Sequence, residues 1–172
     1  KNVDYFVIDL QYVGARYYTY AATMLACLNA CCAAKKTVLI LDRPNPIGGS
    51  TLEGPVATEF GREVCWGAVP IRHGMTFAEI AMFFRANIPD LANLKLEISD
   101  LDGWPCERLF AECSLPWTPP SPNIPTPETA LLYSGMCLFE GTNLNEGRGT
   151  ETPFQLIGAP WLDAATLVHE LT

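Results

Sequence analysis

Apolar residues in the first part of the chain fall into short continuous runs and one helical repeat. Residues 3–10, VDYFVIDL, form a continuous run, which predicts a strand covered on both faces of a sheet. The alanine-rich residues 18–35 carry apolar side chains at helical spacing and predict a helix. Residues 37–42, TVLILD, predict a second buried strand. Strand, helix and strand in this order predict a βαβ unit with a right-handed crossover.

The pattern continues with a second helix and a third strand. Thr76 and Glu79 form a capping-box pair ahead of the helical pattern of residues 77–87. Residues 94–99, LKLEIS, alternate between apolar and polar, which favours a strand at the edge of the sheet. A short helix is predicted near the C-terminus, at residues 164–171.

A proline-rich stretch then changes the character of the chain. WTPPSPNIPTPET holds five prolines in thirteen residues and predicts a rigid connector, because proline is excluded from helix interiors and central strands. We therefore predict an α/β, Rossmann-like fold, with a mostly parallel sheet and helices on both faces, in residues 1–115. Residues 116–172 form the connector and the start of a smaller region. A chain that opens on a buried-looking strand indicates part of a larger fold.

Composition and charge narrow the classes of function. The 172 residues suit one domain, and 49% hydrophobic content with 17% charged content excludes general disorder. A net charge of −8 without a basic stripe argues against nucleic-acid or anionic-membrane partners. No apolar run reaches the ~18 residues of a membrane span, and no signal peptide is visible.

The seven cysteines match no zinc-site spacing, and we predict no metal and no cofactor. Cys27, Cys31 and Cys32 lie on the first predicted helix, where free thiols behave as small hydrophobic groups.

Candidate binding residues follow the two buried strands. Ligands of open α/β sheets bind at the carboxyl ends of the strands, so the loops after Asp9 and Asp42 are expected to converge. Arg16 precedes the first helix, where a cation opposes the helix dipole, and an anion is expected beside it. The other candidates in these two loops are Tyr18, Asp42, Arg43 and Asn45. Packing of half-buried tyrosines and an ordinary proline–asparagine turn are the structural alternatives.

Three more candidates lie outside these loops. His73 precedes a glycine at a helix entrance, where either a catalytic or a structural role is open. Ser121 and Asn123 lie among prolines, which predicts either rigid presentation to a ligand or a structural brace.

The polar segment EGTNLNEGRGTETPF, residues 140–154, holds the last set. Gly147 and Gly149 flank Arg148, whose forked guanidinium matches a carboxylate. Glu140 and Glu146 are candidate acid–base groups, and Glu146 is preferred because it shares the glycine-flanked loop with Arg148. Asn143 completes this set of candidates.

Five motifs occur in order along the chain: DLQYVGARYYTY, LDRPNPIGG, PIRHGMT, PPSPNIPT and EGTNLNEGRGT. Together they resemble the NamZ-like exo-β-N-acetylmuramidases, a bacterial glycoside hydrolase family. The resemblance implies a Rossmann-like domain with a smaller appended domain, a periplasmic or secreted location, and release of N-acetylmuramic acid from the non-reducing end of peptidoglycan fragments. That sugar carries a lactyl carboxylate, which charge matching pairs with Arg16, Arg43 or Arg148.

The chain also departs from the family pattern. A preceding Pro-Glu-His-Gly-type motif, which carries the leading catalytic glutamate of the family, has no counterpart here. Asn145 replaces a usual serine, and Ala78 replaces a usual glycine. The alternative is therefore a non-catalytic, degenerate relative that acts as a structural subunit or sugar-binding module. In either case a protein partner, or the remainder of the same chain, is expected to complete the fold.

Overall fold

Three parallel strands and two crossover helices build the first part of the chain. The computed structural model describes residues 3–59, 61 and 63–172. The strands are β1 (Tyr5–Ile8), β2 (Thr37–Leu41) and β3 (Lys95–Ser99), paired in the order β1-β2-β3. The helices are α1 (Tyr20–Ala33), which connects β1 to β2, and α2 (Phe77–Asn87), which connects β2 to β3. The predicted α/β class with a parallel sheet is confirmed.

The start of α2 is fixed by its sequence. Thr76 Oγ1 accepts a hydrogen bond from the Glu79 amide at 3.2 Å, and Glu79 Oε2 accepts one from the Thr76 amide at 2.7 Å. These reciprocal bonds satisfy two amides that the first helical turn leaves without partners. The predicted capping box is confirmed, and both ends of α2 lie where the apolar pattern puts them.

The core lies on one face of the sheet. The register places Ile8, Ile40 and Ile98 side by side, and all three pack with residues of both helices, such as Leu28 and Phe84. Both helices therefore cover the same face. This is expected when each new parallel strand is added to the same edge of the sheet through a right-handed crossover. The sequence predicts helices on both faces, but in the described part of the chain α1 and α2 share one.

Strand β1 is more exposed than predicted. Tyr5, Phe6 and Val7 are 50%, 40% and 51% exposed. Strand β1 pairs with β2 on one side, so its other edge carries unpaired backbone groups in the described structure. The prediction that β1 is covered on both faces is wrong for the described residues, because an apolar run does not specify what lies beside it. Among the strands that the structure describes, β3 lies at an edge of the sheet, as predicted.

The second part of the chain packs onto the carboxyl end of the sheet. It contains α3 (Pro127–Met136), α4 (Ala164–Leu171) and 3-10 turns at Phe110–Glu112 and Cys137–Gly141, and a further turn, Pro89–Leu91, follows α2.

A second hydrophobic cluster joins the two parts. Val13 and Ile47, from the loops after β1 and β2, pack with Ile124, Tyr133 and Phe154. This cluster therefore includes residues from both sides of the predicted division at 115/116, which stays a prediction.

The proline-rich stretch lies against the fold rather than apart from it. The Tyr20 hydroxyl donates to the carbonyl of Pro120 at 2.6 Å, and the Trp117 indole donates to the carbonyl of Ile124 at 3.2 Å. All seven cysteines are free. No helix in the described ranges is long and apolar enough to cross a membrane.

Candidate functional site

A cleft of about 570 Å³, which we call the Arg148 cleft, gathers five of the predicted site residues. Its walls come from the loop after β1, the proline-rich stretch, α3 with its following turn, and the glycine-rich loop. The predicted residues that line it are Tyr18, Ser121, Asn123, Glu140 and Arg148. A larger groove of about 860 Å³ lies at the opposite end of the sheet and contains none of the predicted residues. The Arg148 cleft is therefore the better candidate site.

Aromatic side chains form much of the cleft. Tyr133 meets Tyr18 edge-to-face at 5.9 Å between ring centroids, and meets Phe154 at 4.9 Å. The Tyr17 hydroxyl donates to the carbonyl of Tyr133 at 3.1 Å. Burial raises the pKa of Tyr17, Tyr18 and Tyr133 well above the usual value for tyrosine. Burial therefore strengthens the usual preference of these hydroxyls for the neutral form.

The backbone around Arg148 depends on its two glycines. Gly147 and Gly149 both have φ of +85°. A Cβ atom on Gly147 would lie 2.8 Å from the carbonyl oxygen of Thr152, so a larger residue there would force the backbone to shift. The Gly147 amide donates to Asn145 Oδ1 at 2.8 Å, which fixes the turn.

The Arg148 guanidinium holds two carboxylates. Its Nε donates to Glu146 Oε1 at 3.0 Å, its Nη2 donates to Glu140 Oε1, and its Cζ lies 5.4 Å from the centroid of the Phe154 ring. Burial lowers the pKa of Arg148, but the hydrogen bonds that it donates to the two glutamates outweigh burial, and the net shift of the pKa is upward. One cation and two carboxylates leave this group with a net negative charge.

The two glutamates occupy different places. The Glu146 side chain is only 8% exposed and does not line the cleft, whereas the Glu140 side chain is 39% exposed and does. Cys137 Sγ donates to Glu140 Oε2 at 3.4 Å, and burial raises the pKa of this thiol to about 11, so it remains a neutral donor. This placement favours Glu140 over Glu146 as the carboxylate that meets a ligand, the reverse of the preference from sequence.

The predicted convergence of the loops after β1 and β2 is confirmed by an ion pair. Arg43 Nε donates to Asp9 Oδ1 at 2.7 Å. The anion expected beside Arg16 is absent from the described residues: its Nη1 donates instead to the carbonyls of Pro55, at 2.9 Å, and Val69. Helix α1 begins at Tyr20, so Arg16 lies outside the first helical turn. Its buried Nε has no hydrogen-bond partner among the described residues.

Two further candidates in the β2 loop form structural hydrogen bonds. Asp42 Oδ1 accepts from the Ala78 amide at 2.9 Å and so helps to fix the first turn of α2. Asn45 is only 2% exposed, accepts from the Ile47 amide at 3.1 Å and donates to the carbonyl of Met75 at 2.9 Å. Neither lines the Arg148 cleft.

His73 lies in the core, away from the cleft. Its Nδ1 accepts from the Met75 amide at 3.1 Å, and its ring stacks on Tyr12 at 5.7 Å and meets Trp66 at 5.4 Å. Burial, and secondly the charge of Arg16, lower the pKa of His73 to about 3. These contacts support the structural alternative for His73.

Sequence reasoning missed several residues of the cleft. Tyr17, Tyr133, Cys137 and Phe154 line it, and the signal was weak because aromatic residues and cysteines also suit a core. Asn143 is exposed and lies outside the cleft lining. No cluster of three or more metal-ligating side chains occurs among the residues that the structure describes.

Two family models match adjacent parts of the chain. The N-terminal model of exo-β-N-acetylmuramidase NamZ matches residues 1–128, and the C-terminal model matches residues 131–172. The chain belongs to the NamZ family. The junction between the two models lies within α3 of this family member.

Relatives agree with this assignment. Peptidoglycan β-N-acetylmuramidase NamZ of Bacillus subtilis (strain 168) is 40% identical over 172 residues, which cover 99% of this chain and 41% of that protein. A DUF1343 family protein of Bacteroides fragilis NCTC 9343 has a solved structure with a TM-score of 0.89 and 33% identity, covering 99% of this chain and 45% of that one. A second DUF1343 family protein from the same organism has a solved structure with a TM-score of 0.78 and 34% identity, covering 91% of this chain and 44% of that one. This NamZ family chain therefore spans less than half the length of these relatives.

Proposed function

We propose that this chain supplies the sugar-binding cleft of an enzyme that releases N-acetylmuramic acid from the non-reducing end of peptidoglycan fragments, in the periplasm or outside the cell. The observation that carries the proposal is the convergence of five separately predicted residues in the Arg148 cleft of a NamZ family member. These residues come from distant parts of the sequence and meet where the loops of an α/β sheet bind ligands.

The chemistry of the cleft suits an amino sugar. Tyr18, Tyr133 and Phe154 offer apolar ring surface, while Asn123 and Glu140 offer polar groups that can bind hydroxyl or amide groups of a sugar. A concave site that combines aromatic walls with a few polar groups is typical of small-ligand sites.

Arg148 holds Glu140 in place in this proposal. Because two carboxylates already engage its guanidinium, a third anion on Arg148 would meet two negative charges. The hypothesis that Arg148 binds the lactyl carboxylate stays a prediction, and the orientation of Glu140 by Arg148 is the role that its contacts favour.

Binding and hydrolysis test the proposal. Calorimetry should detect binding of N-acetylmuramic acid, and Glu140→Gln should weaken it about tenfold through loss of a charged acceptor. Glu151→Gln is the matched control, because Glu151 is exposed in the same polar segment. Release of the sugar from an N-acetylmuramic acid–N-acetylglucosamine disaccharide, measured by chromatography, tests turnover. A chain that neither binds nor cleaves would refute the proposal.

A second candidate is a non-catalytic sugar-binding module or subunit. Glycosidases commonly use two carboxylates that flank the bond, whereas Glu140 is the one carboxylate that lines the cleft among the described residues. Binding of N-acetylmuramic acid without cleavage of the disaccharide would select this candidate.

The exposed side of β1 supports a partner for either candidate. Phe6 and Val7 line a groove of about 240 Å³ between β1 and α1, and strand edges of this kind pair readily with another strand. We propose that further polypeptide, from a partner or from the same protein, pairs with this edge. Phe6→Lys should then prevent the pairing. Size-exclusion chromatography of this chain mixed with the further polypeptide should show a complex with the wild type and none with Phe6→Lys.

A further inference from the structure

A second concavity lies at the carboxyl edge of the sheet, between the loops that follow β2 and β3. Its volume is about 270 Å³, and Pro44 and residues 101–115 supply its walls. None of the residues predicted from sequence lines it. Ligands of α/β sheets bind at this edge, so its position alone makes it a candidate for a site.

Backbone hydrogen bonds fix the two walls relative to each other. The Gly49 amide donates to the carbonyl of Cys106 at 2.6 Å, and the Phe110 amide donates to the carbonyl of Pro46 at 3.0 Å. The Phe110 ring also packs against Trp117, with 5.0 Å between ring centroids. The concavity is therefore formed before any ligand arrives, which lowers the entropic cost of binding.

Four polar side chains of this concavity have no hydrogen-bond or ion-pair partner among the described residues: Asp102, Trp104, Arg108 and Ser114. The indole Nε1 of Trp104 is buried and has no hydrogen-bond partner among the described residues. This N–H lies at a buried edge of the ring, so the ring surface, and not the N–H group, is what Trp104 offers to the concavity. Glu112 also lines the concavity, but its carboxylate already accepts from the Leu109 amide at 2.8 Å.

Arg108 differs from the other arginines that follow the strands or lie in the glycine-rich loop. Arg16 is held by backbone carbonyls, and Arg43 and Arg148 are paired with carboxylates. The exposed Arg108 guanidinium has no ion pair or hydrogen bond within the described ranges, yet it lines a concavity beside a tryptophan. Arg85 is likewise exposed but lies on the surface of α2, outside the concavity.

We propose that Trp104 and Arg108 form a second carbohydrate site, which binds a sugar that carries a carboxylate. The Trp104 ring supplies a flat apolar surface for one face of the sugar, and the Arg108 fork binds its carboxylate with two parallel hydrogen bonds. The identity of the sugar as N-acetylmuramic acid rests on the proposed function. The second site would bind another unit of the same glycan.

Tryptophan fluorescence of the whole chain gives a local readout. In the described part of the chain, Trp104 is the one of the four tryptophans that lines this concavity, and no tryptophan lines the Arg148 cleft. N-acetylmuramic acid should change the emission of the wild-type chain, and Trp104→Phe should remove the change. N-acetylglucosamine, which lacks the carboxylate, should bind at least tenfold more weakly.

Arginine variants separate the proposal from a general effect of charge. Arg108→Ala should weaken N-acetylmuramic acid about tenfold and leave N-acetylglucosamine unchanged, while Arg85→Ala should match the wild type. Equal midpoints of urea unfolding would show that Arg108→Ala is folded. Unchanged affinity in Arg108→Ala, or equal competition by acetate, would overturn the proposal.

The two sites can fail separately. Glu140→Gln should leave the Trp104 signal intact and reduce only the binding that calorimetry assigns to the Arg148 cleft. If Glu140→Gln loses the calorimetric binding at the Arg148 cleft but keeps the change in Trp104 fluorescence, both sites are supported. A Trp104 signal that is absent while Glu140→Gln still weakens calorimetric binding refutes the second site alone.

Discussion

The ion pair between Arg148 and Glu146 should be worth more than a shorter pair elsewhere in the chain. Arg148 Nε and Glu146 Oε1 are 3.0 Å apart, and the Glu146 side chain is 8% exposed. Arg43 Nε and Asp9 Oδ1 are closer, at 2.7 Å, but the Asp9 side chain is 48% exposed. Solvent screening weakens the exposed pair, whereas removal of Arg148 leaves a buried carboxylate without its partner.

The magnitude follows from the lost contacts. A hydrogen bond to a charged group contributes about 1.5–3 kcal/mol, and a cation over an aromatic ring about 0.5–1 kcal/mol. Because the Arg148 side chain is 48% exposed, both values are reduced by screening, and Arg148→Ala should cost about 2 kcal/mol of unfolding free energy. For a chain of this size that corresponds to a melting temperature lower by about 4–8 °C.

A double-mutant cycle isolates the pair. Urea unfolding of the wild type, Arg148→Ala, Glu146→Gln and the double variant should give a coupling energy of about 1.5 kcal/mol. The matched cycle of Arg43→Ala and Asp9→Asn should give less than about 1 kcal/mol. If the Arg148 cycle is additive, or if the exposed pair couples more strongly, then burial of Glu146 does not govern the interaction and the reasoning fails.

The other predictions concern a histidine, two glycines and a thiol. Burial lowers the pKa of His73 from 6.5 to about 3, so between these pH values the unfolded chain binds a proton that the folded chain does not. The contribution of His73 to stability is therefore complete above pH 6.5 and is lost as the pH falls toward 3. The unfolding free energy measured in urea should be about 2 kcal/mol lower at pH 5 than at pH 7. His73→Gln should flatten this dependence and His169→Gln should not; equal slopes in both would contradict the assignment. Gly147→Ala should lower the unfolding free energy by about 2 kcal/mol and Gly149→Ala by about 1 kcal/mol. Both glycines have positive φ, but only at Gly147 would a Cβ atom lie against a carbonyl oxygen. Equal losses for the two variants in urea unfolding would disprove the steric argument. The Cys137 thiol, with a pKa of about 11, should react slowly with iodoacetamide at pH 7.5 and faster as the pH rises to 11, with alkylation measured by mass spectrometry. A reaction rate that reaches a plateau near pH 8 would show that burial does not control the pKa of this thiol.

The sequence predicts the local elements well because their signals are local. Capping by Thr76 and Glu79 depends on residues three apart, so the start of α2 is readable without knowledge of the fold. The convergence of the loops after β1 and β2 can also be predicted, since parallel strands bring their carboxyl ends to one edge. The pairing of Arg43 with Asp9, rather than with a ligand, is seen only in the structure.

Contacts between distant segments are not readable in this way. The pattern shows that Arg16 is a cation ahead of a helix, but not that the carbonyls of Pro55 and Val69 approach it. It shows two glutamates near Arg148, but not that Glu146 is buried behind it while Glu140 faces the cleft. Which side of a residue meets solvent depends on segments far away in the sequence, and no local pattern encodes that.

The second hydrophobic cluster has a consequence for how the chain folds. Val13 and Ile47 come from the start of the chain, and Tyr133 and Phe154 come from near its end. Contacts between such distant positions close long loops and form late in folding. The sheet with α1 and α2 should therefore assemble first, and the Arg148 cleft should appear only when the C-terminal third docks. During synthesis, before the C-terminal third has left the ribosome, the chain should therefore have the core of the sheet and its two helices but lack the Arg148 cleft.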